Sequence, residues 1–267
     1  MGFINNIYDF NDFKVHELKG YIQNTHIIDY NEELFLIDSG CINDVKRIEK
    51  YCNEILDRPV SDIKIMVLTH MHPDHAGGAN KLRAQYNIPI AAFKEIDEWY
   101  KGLGGIIQHK IDCYLATSVA HKSNRKLEHI LYSRKVKPDY LLVDNDKLPF
   151  FPEWQVLHVP GHTMHDLAIY NQKEKVVFIA DLICEVKGRH CLPVPVLFPD
   201  KMADSFNRLT NIDAKTIFRS HGGILEAVNP KHIFNHMENL IYQPLNPMIE
   251  KAYRISKFPP AVRHNAK

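Results

Sequence analysis

The stretch Thr69-His70-Met71-His72-Pro73-Asp74-His75-Ala76-Gly77-Gly78, residues 69–78, places four metal-ligating side chains within six positions. It continues the apolar run 63–69, whose length and nearly unbroken hydrophobicity predict a strand buried on both faces. Residues two positions apart in an extended chain point to the same side. We therefore expect His70 and His72 to face one metal ion.

The second half of this stretch predicts a turn from the strand into a helix. Asp74 and His75 lie on that turn, from which they can reach a second ion. Two adjacent glycines, Gly77 and Gly78, allow close backbone packing where the loop becomes helix. Neutral imidazoles with a carboxylate are a ligand set that suits Zn²⁺. With 16 histidines in 267 residues, the composition also raises the question of metal binding.

Three further motifs stand at the ends of predicted strands. They are Pro160-Gly161-His162-Thr163, which follows the strand-like run 154–159, Ala180-Asp181, which closes the run 175–181, and Ser220-His221-Gly222-Gly223, which closes the run 215–220. Strand ends that lead into short loops are where α/β folds build their sites. The sequence thus offers seven candidate metal ligands: His70, His72, Asp74, His75, His162, Asp181 and His221.

The rest of the chain alternates between strand and helix patterns, which predicts an α/β class with layered α+β packing. Strands are expected at 13–18, 21–30 and 33–40, and an amphipathic helix at 42–56. We expect one domain over residues 1–267. It would carry a helical insert at about 94–137 and a short helical C-terminal tail at about 230–267.

Composition excludes some partners and suggests a location. Thirty-three Lys and Arg against 32 Asp and Glu give a net charge of +1, so no basic field points to nucleic acid. The sequence contains no apolar window long enough for a bilayer, so no membrane partner is expected. Five scattered cysteines and an N-terminus unlike a signal peptide predict a cytoplasmic protein with reduced thiols.

Taken together, the motifs THMHPDHAGG, PGHT, AD after an apolar strand, and SHGG resemble those of the metallo-β-lactamase superfamily over roughly residues 20–225. The resemblance implies an αββα sandwich with its site at one edge of the two sheets. It assigns the seven candidates to two ions: His70, His72 and His162 to the first, Asp74, His75 and His221 to the second, and Asp181 as a bridge. It further implies that Asp38 supports the site by hydrogen bonding.

Hydrolysis is the activity that this resemblance implies. Two divalent ions, with Zn²⁺ expected and Fe or Mn as alternatives, would share a hydroxide that attacks the carbonyl of an ester, thioester or lactone. Asp74 is the catalytic candidate, because it would orient that water and carry its proton. The expected substrate is a small molecule, and a homodimer is one expected assembly.

Departures from the branches of the family leave alternatives open. A bridging Asp181 favours the glyoxalase II-like, thioesterase-like and lactonase-like branches over true β-lactamases. Cys184 stands where lactonases typically have tyrosine, and the short segment 222–267 differs from the glutathione-binding domain of glyoxalase II. The insert and tail look more like the quinolone-pathway thioesterase. A mononuclear iron enzyme like persulfide dioxygenase, a β-lactamase and a non-catalytic binding protein remain alternatives.

The insert at 94–137 is expected to overhang the site and to control substrate choice without supplying a ligand. Trp99 and Tyr114 have two interpretations, since they could line an acyl pocket or pack the insert onto the rest of the protein.

Overall fold

The computed structural model describes residues 5–245 and 247–265, and the chain forms two compact units. Within the described residues, unit 1 comprises 5–97 and 109–141, and unit 2 comprises 98–108 and 142–265. Each unit combines a β-sheet with helices, so the predicted α/β class is confirmed.

Unit 1 contains all but the last residue, Leu142, of a seven-stranded sheet whose strands follow one another in chain order. The strands are β1 (Asn5–Asp9), β2 (Lys14–Lys19), β3 (Asn24–Asp29), β4 (Leu34–Ile37), β5 (Ile63–Leu68), β6 (Ile90–Phe93) and β7 (Tyr140–Leu142). The first four strands pair antiparallel, whereas β4, β5 and β6 run parallel to one another. Strand β5 is buried except at Lys64, as the apolar run 63–69 predicted, and its neighbour β4 is fully buried.

Helices of unit 1 lie between and after these strands. They are α1 (Asp44–Tyr51), α2 (Pro73–Ala76), α3 (Ala79–Tyr86) and α4 (Gly102–Lys122), the last with residues in both units. Val45 and Ile48 on α1 are fully buried, as its amphipathic pattern predicts, and a π-helical turn at Cys52–Leu56 extends this helix.

The insert is less helical than expected. Its helix occupies only 102–122, and the chain from 123 to 139 contains no helix. Asn124 has a φ of +54°, the left-handed conformation in which many helices end. The segment that follows is anchored by side chains instead, because the carboxylate of Asp97 accepts hydrogen bonds from the backbone N–H groups of Val136 and Lys137.

Unit 2 contains a five-stranded sheet and a separate hairpin. The sheet has the order β14-β11-β10-β9-β8, with β8 (Lys147–Leu148), β9 (Phe151–His158), β10 (Leu167–Asn171), β11 (Val176–Phe178) and β14 (Thr216–Phe218); the hairpin pairs β12 (Cys184–Val186) with β13 (Arg189–Cys191). Strand β10 is antiparallel to both β9 and β11, and β14 is parallel to β11. Strands β9, β11 and β14 therefore all run in the same direction.

Four helices complete unit 2: α5 (Pro199–Thr210), α6 (Pro230–Ile241), α7 (Pro247–Ile255) and α8 (Pro260–Asn265). Met202 and Phe206 on α5 are buried in one apolar cluster with Phe234 on α6. The helical character predicted for the segment after Pro230 is thus present. Among the residues that the structure describes, no helix is both long and apolar enough to span a bilayer. All five cysteines are free thiols.

Candidate metal centre

The loop between β5 and α3 in unit 1 carries four of the predicted ligands, all of them buried: His70, His72, Asp74 and His75. Ligand atoms of His70 lie within 4.8 Å of those of His72 and also of His75, and Asp74 and His75 are equally close. The two-residue period of the HxH motif and the turn into α2 therefore bring together the side chains that the sequence predicted.

Asp38 organises this loop from the end of the neighbouring strand. Because β4 and β5 are parallel, the residues that follow them meet at the same edge of the sheet. Asp38 Oδ1 accepts a hydrogen bond from Thr69 N at 2.8 Å, and its Oδ2 lies 2.8 Å from both Thr69 Oγ1 and His75 Nδ1. A carboxylate can only accept, so Nδ1 of His75 carries the proton and Nε2 is available as a ligand.

The same carboxylate fixes His70 indirectly. The hydroxyl of Thr69 donates its proton to Asp38. In the hydrogen bond of 3.1 Å between Thr69 Oγ1 and His70 Nδ1, the imidazole N–H must therefore be the donor. His70 therefore also presents Nε2. The supporting role predicted for Asp38 is present in the structure, and it reaches two histidines. Thr69 belongs to the motif, but no sequence pattern indicates that it joins Asp38 to His70.

Close backbone packing holds the loop in place. A Cβ on Gly78 would lie 2.8 Å from the carbonyl oxygen of Ser39, closer than real Cβ contacts come. Without a side chain, Gly78 packs against Ser39, and its N–H donates a hydrogen bond to Ser39 Oγ at 3.0 Å. From the other side, the Gln23 side chain donates to the carbonyl of Asp74. The predicted need for glycine at this point is therefore met by a specific contact.

The remaining three candidates lie together in unit 2. His162, Asp181 and His221 follow β9, β11 and β14, three strands of one direction, so they emerge at the same edge of that sheet. Asp181 Oδ2 lies 3.7 Å from Nε2 of His162, and Asp181 Oδ1 lies 3.5 Å from Nε2 of His221. One carboxylate thus faces two imidazoles with different oxygens, the arrangement that a bridging ligand requires.

The loop of His162 is fixed by polar contacts. Its Nδ1 lies 2.7 Å from the carbonyl oxygen of Pro195, which can only accept, so Nε2 is the nitrogen left for a ligand role. Thr163 donates through both N and Oγ1 to the carboxylate of Asp166, which closes a tight turn. A Cβ on Gly161 would meet Met202 of α5 at 2.6 Å, so this position requires glycine.

His221 is held by the hairpin of unit 2. Glu185 N on β12 donates to the carbonyl of His221 at 2.7 Å. The side chain of Glu185 accepts from Arg219 Nη2 at 2.8 Å, while Arg219 Nε donates to the carbonyl of Gly223. Arg219 is buried, so its charge is compensated at the point where the chain turns into His221. The partners of this pair are 34 positions apart, so no local sequence pattern predicts it.

Trp99 and Tyr114, the two aromatic residues with alternative interpretations, differ in exposure. Trp99 is only 2% exposed, with its ring 5.3 Å from that of His165, so packing is the interpretation that the structure supports. Burial lowers the pKa of His165 to about 3, with smaller contributions from His158 and His162, so this imidazole is neutral. Tyr114, in contrast, is 66% exposed on α4.

The donor chemistry of both units fits divalent metal ions. Histidines that present Nε2 while Nδ1 is hydrogen-bonded are typical metal ligands, and carboxylates complete such a set.

Comparison with known proteins extends over both units. A sequence model described as the metallo-beta-lactamase superfamily matches residues 18–221. The chain is 26% identical over 123 residues to a hydroxyacylglutathione hydrolase of Bdellovibrio bacteriovorus, covering 46% of this chain and 35% of that protein. It is 24% identical over 126 residues to hydroxyacylglutathione hydrolase GloC of Haemophilus influenzae, covering 46% of this chain and 50% of that protein. The aligned segments thus span half or less of these two relatives.

A solved structure gives the broader likeness. An archaeal metallo-beta-lactamase superfamily protein from Sulfolobus tokodaii superposes with a TM-score of 0.62 at 15% identity, covering 94% of this chain and 98% of that chain. At this identity the likeness concerns the fold.

Proposed function

The chain belongs to the metallo-β-lactamase superfamily, and on that premise we propose that it is a hydrolase that uses two divalent metal ions to cleave an ester, thioester or lactone of a small molecule. Similarity to two hydroxyacylglutathione hydrolases supports metal-dependent hydrolysis and favours a thioester among these substrates. Membership of the family also supports the step of assigning the ligands of the two units to one centre.

A single observation carries the dinuclear part of the proposal. Asp181 directs its two carboxylate oxygens toward two different imidazoles, those of His162 and His221. A ligand to a single ion does not need this arrangement, whereas a carboxylate shared by two ions does. We assign the ions as the family pattern does: His70, His72 and His162 to one, Asp74, His75 and His221 to the other, and Asp181 to both.

When bound, such a pair of ions lowers the pKa of a shared water toward about 7 and polarises a carbonyl oxygen. The protein's own residues provide orientation and proton transfer. Asp38 holds His75 directly and His70 through Thr69, so the imidazoles are positioned before substrate arrives. Asp74 takes the proton of the attacking water on its carboxylate and returns it to the leaving oxygen or sulfur.

Zinc is the proposed metal, because imidazole and carboxylate donors suit it, with iron or manganese as alternatives. The remaining assignments belong to the same proposal. A net charge of +1 supports a small-molecule substrate with neither nucleic acid nor a membrane as partner. Five free thiols support a reducing, cytoplasmic location. We also propose that the two compact units belong to one domain and that the protein assembles as a homodimer.

Metal analysis of the purified protein, with and without an Asp181→Ala substitution, tests the centre. We expect close to two ions per wild-type chain, and in the variant a loss of metal together with a fall in kcat/KM of more than about 100-fold. Asp213→Ala is the matched control, because that carboxylate pairs with Lys175 at the surface.

A panel of chromogenic thioesters, esters, lactones and β-lactams then assigns the substrate class. Preferential turnover of thioesters is the expected result. A wild-type protein that takes up no stoichiometric metal after reconstitution contradicts the proposal. Turnover of β-lactams alone would identify a β-lactamase, the alternative function.

A further inference from the structure

The buried face of α4 carries an acidic side chain that the proposed centre does not use. Asp112 is only 6% exposed, and its Oδ2 lies 3.6 Å from Nε2 of His72. Both residues belong to unit 1. A buried carboxylate is strongly destabilising unless a positive charge or a hydrogen-bond donor faces it. His72 provides such a partner.

The position of Asp112 follows from how α4 packs. Cys113, Ala116 and Ala120 recur on one face of the helix and are buried in a cluster with Tyr21 and Cys41. This contact fixes the rotation of α4. Asp112 precedes Cys113 and is carried to the edge of the same buried face, toward the loop that follows β5.

A second contact from the insert reaches the same loop. The hydroxyl of Tyr132, in the segment after α4, donates a hydrogen bond to the carbonyl of Met71. The ring of Tyr132 packs against His109, one helical turn before Asp112, with centroids 4.8 Å apart. The insert therefore holds the backbone of residue 71 and faces the side chain of residue 72.

We infer that Asp112 is a positioning residue for the metal centre: it accepts the Nε2–H of His72 and so leaves Nδ1 of that imidazole as the ligand atom. The inference rests on the proposed function, since it gives Asp112 a task through His72 as a ligand. Metal-bound histidines generally donate their second ring N–H to a carboxylate or carbonyl, which fixes the tautomer and the ring orientation.

Asp38 and Asp112 then contact different ring nitrogens of the two histidines that they support. Asp38 Oδ2 lies 2.8 Å from Nδ1 of His75, which makes Nε2 the ligand atom, whereas Asp112 Oδ2 faces Nε2 of His72 at 3.6 Å, which leaves Nδ1 as the ligand atom. Asp38 follows a strand of the sheet, but Asp112 belongs to the insert. The insert thus supports the metal centre in addition to any effect on substrate choice, which is more than the sequence predicted for it.

The tautomer of His72 tests the inference without any metal. Long-range ¹H–¹⁵N spectra of the metal-free protein should show His72 protonated on Nε2 and His75 protonated on Nδ1. A His72 protonated on Nδ1 overturns the inference, even if the protein binds zinc.

Zinc affinity gives the second test, measured by competition with a chromogenic chelator. Asp112→Asn should weaken binding of one of two zinc ions by about 10–100-fold and leave the other within a few-fold. Asp97→Asn is the matched control, because it makes the same chemical change in a carboxylate that anchors the insert backbone away from His72. Equal zinc affinity in the two variants overturns the inference.

A variant that retains the carboxylate separates positioning from folding. Asp112→Glu should recover most of the lost affinity, and the thermal midpoint of metal-free Asp112→Asn should match that of Asp97→Asn. If Asp112→Asn does not fold, the tautomer of the wild-type protein still decides. Nε2-protonated His72 in a protein that binds no zinc contradicts the proposed function and leaves the role of Asp112 intact.

Discussion

Asp38 Oδ2 lies 2.8 Å from Nδ1 of His75, although the two residues are 37 positions apart in the sequence. The parallel pairing of β4 with β5 produces this contact, because it aligns the end of one strand with the loop after the other. The strand pairing thereby positions a carboxylate that contacts the proposed ligand His75 but is not itself assigned to a metal ion. The metal affinity of the loop should depend on it.

Replacing Asp38 with alanine should weaken zinc binding by about 10–100-fold, because His75 and, through Thr69, His70 lose the acceptor that orients them. Chelator competition measures the affinity. Asp62→Ala removes a carboxylate of unit 1 that bonds to Arg58 and should leave the affinity unchanged. Asp38→Asn keeps an acceptor for Thr69 N and should give an intermediate value; wild-type affinity in both Asp38 variants would contradict this role.

Asp44 is expected to dominate the stability of the region around α1. Its buried carboxylate accepts hydrogen bonds from the backbone N–H of Tyr21 and of Cys41 and from Arg47 Nη1, all within 2.8 Å. Asp44→Ala leaves these donors without their acceptor and should lower the free energy of unfolding by roughly 3–5 kcal/mol.

Urea denaturation of the metal-free protein measures the effect of Asp44→Ala. Glu98→Ala breaks an exposed ion pair with Lys101 and should change stability by less than about 1 kcal/mol. Equal effects of the two substitutions would show that Asp44 is not the centre of this network.

The buried carboxylate of Glu17 and the partly buried carboxylate of Asp29, both in the first sheet, should make the protein sensitive to acid. Burial acts to raise the pKa of Glu17, but contacts with His26, Asn6 and Asn24 outweigh it and lower that pKa. The pKa of Asp29 is lowered mainly by its hydrogen bond with His16. A depressed pKa in the folded state stabilises the protein above the unfolded value and loses that effect as the pH falls through the folded value.

The expected window for this loss lies below about pH 4.5, the ordinary value for glutamate. Unfolding free energies measured between pH 6 and pH 3 should fall more steeply for the wild type than for Glu17→Gln. Glu153→Gln, on an exposed position of β9, serves as the control and should follow the wild type. Parallel curves for the wild type and Glu17→Gln would contradict the prediction.

Tyr114 tests whether the exposed face of α4 influences substrate choice. Because this ring is 66% exposed and lies outside the buried face, its removal should not alter metal content or folding. Tyr114→Ala should raise KM or reorder the acyl-chain preference by several-fold with little change in kcat. Tyr242→Ala removes an equally exposed ring on unit 2 and should not change the preference. Identical kinetics in the two variants would show that this face does not contact substrate.

Local patterns were sufficient to predict the class, the family and most strands and helices. The resemblance read from the four motifs is confirmed by the family match over 18–221. The buried strand before His70 and the turn at Asp74 follow from hydrophobic run length and from Pro73, both of which are local properties. The complete set of seven ligands at one centre stays a prediction.

Residues that act through distant partners could not be found in this way. Asp112 lies in a helix whose sequence has no obvious amphipathic pattern, and nothing adjacent to it in the chain indicates His72 as its partner. Glu185 on β12 and Arg219 after β14 likewise meet only because the hairpin contacts the chain that follows β14. The short strands β1, β6, β7, β8, β12 and β13 were also missed, since their pairing depends on tertiary contacts.

The division of the chain into units has a consequence for its synthesis. Residues 98–108 belong to unit 2, yet they leave the ribosome between the two segments of unit 1, well before residue 142. At ordinary rates of translation, this short segment waits on the order of 10 s for the rest of its unit. The sheet of unit 1 can form during that interval. Unit 2 combines two separate segments of the chain, so it cannot fold until its second segment has been synthesised. Excising either unit as one uninterrupted fragment would therefore leave part of it behind.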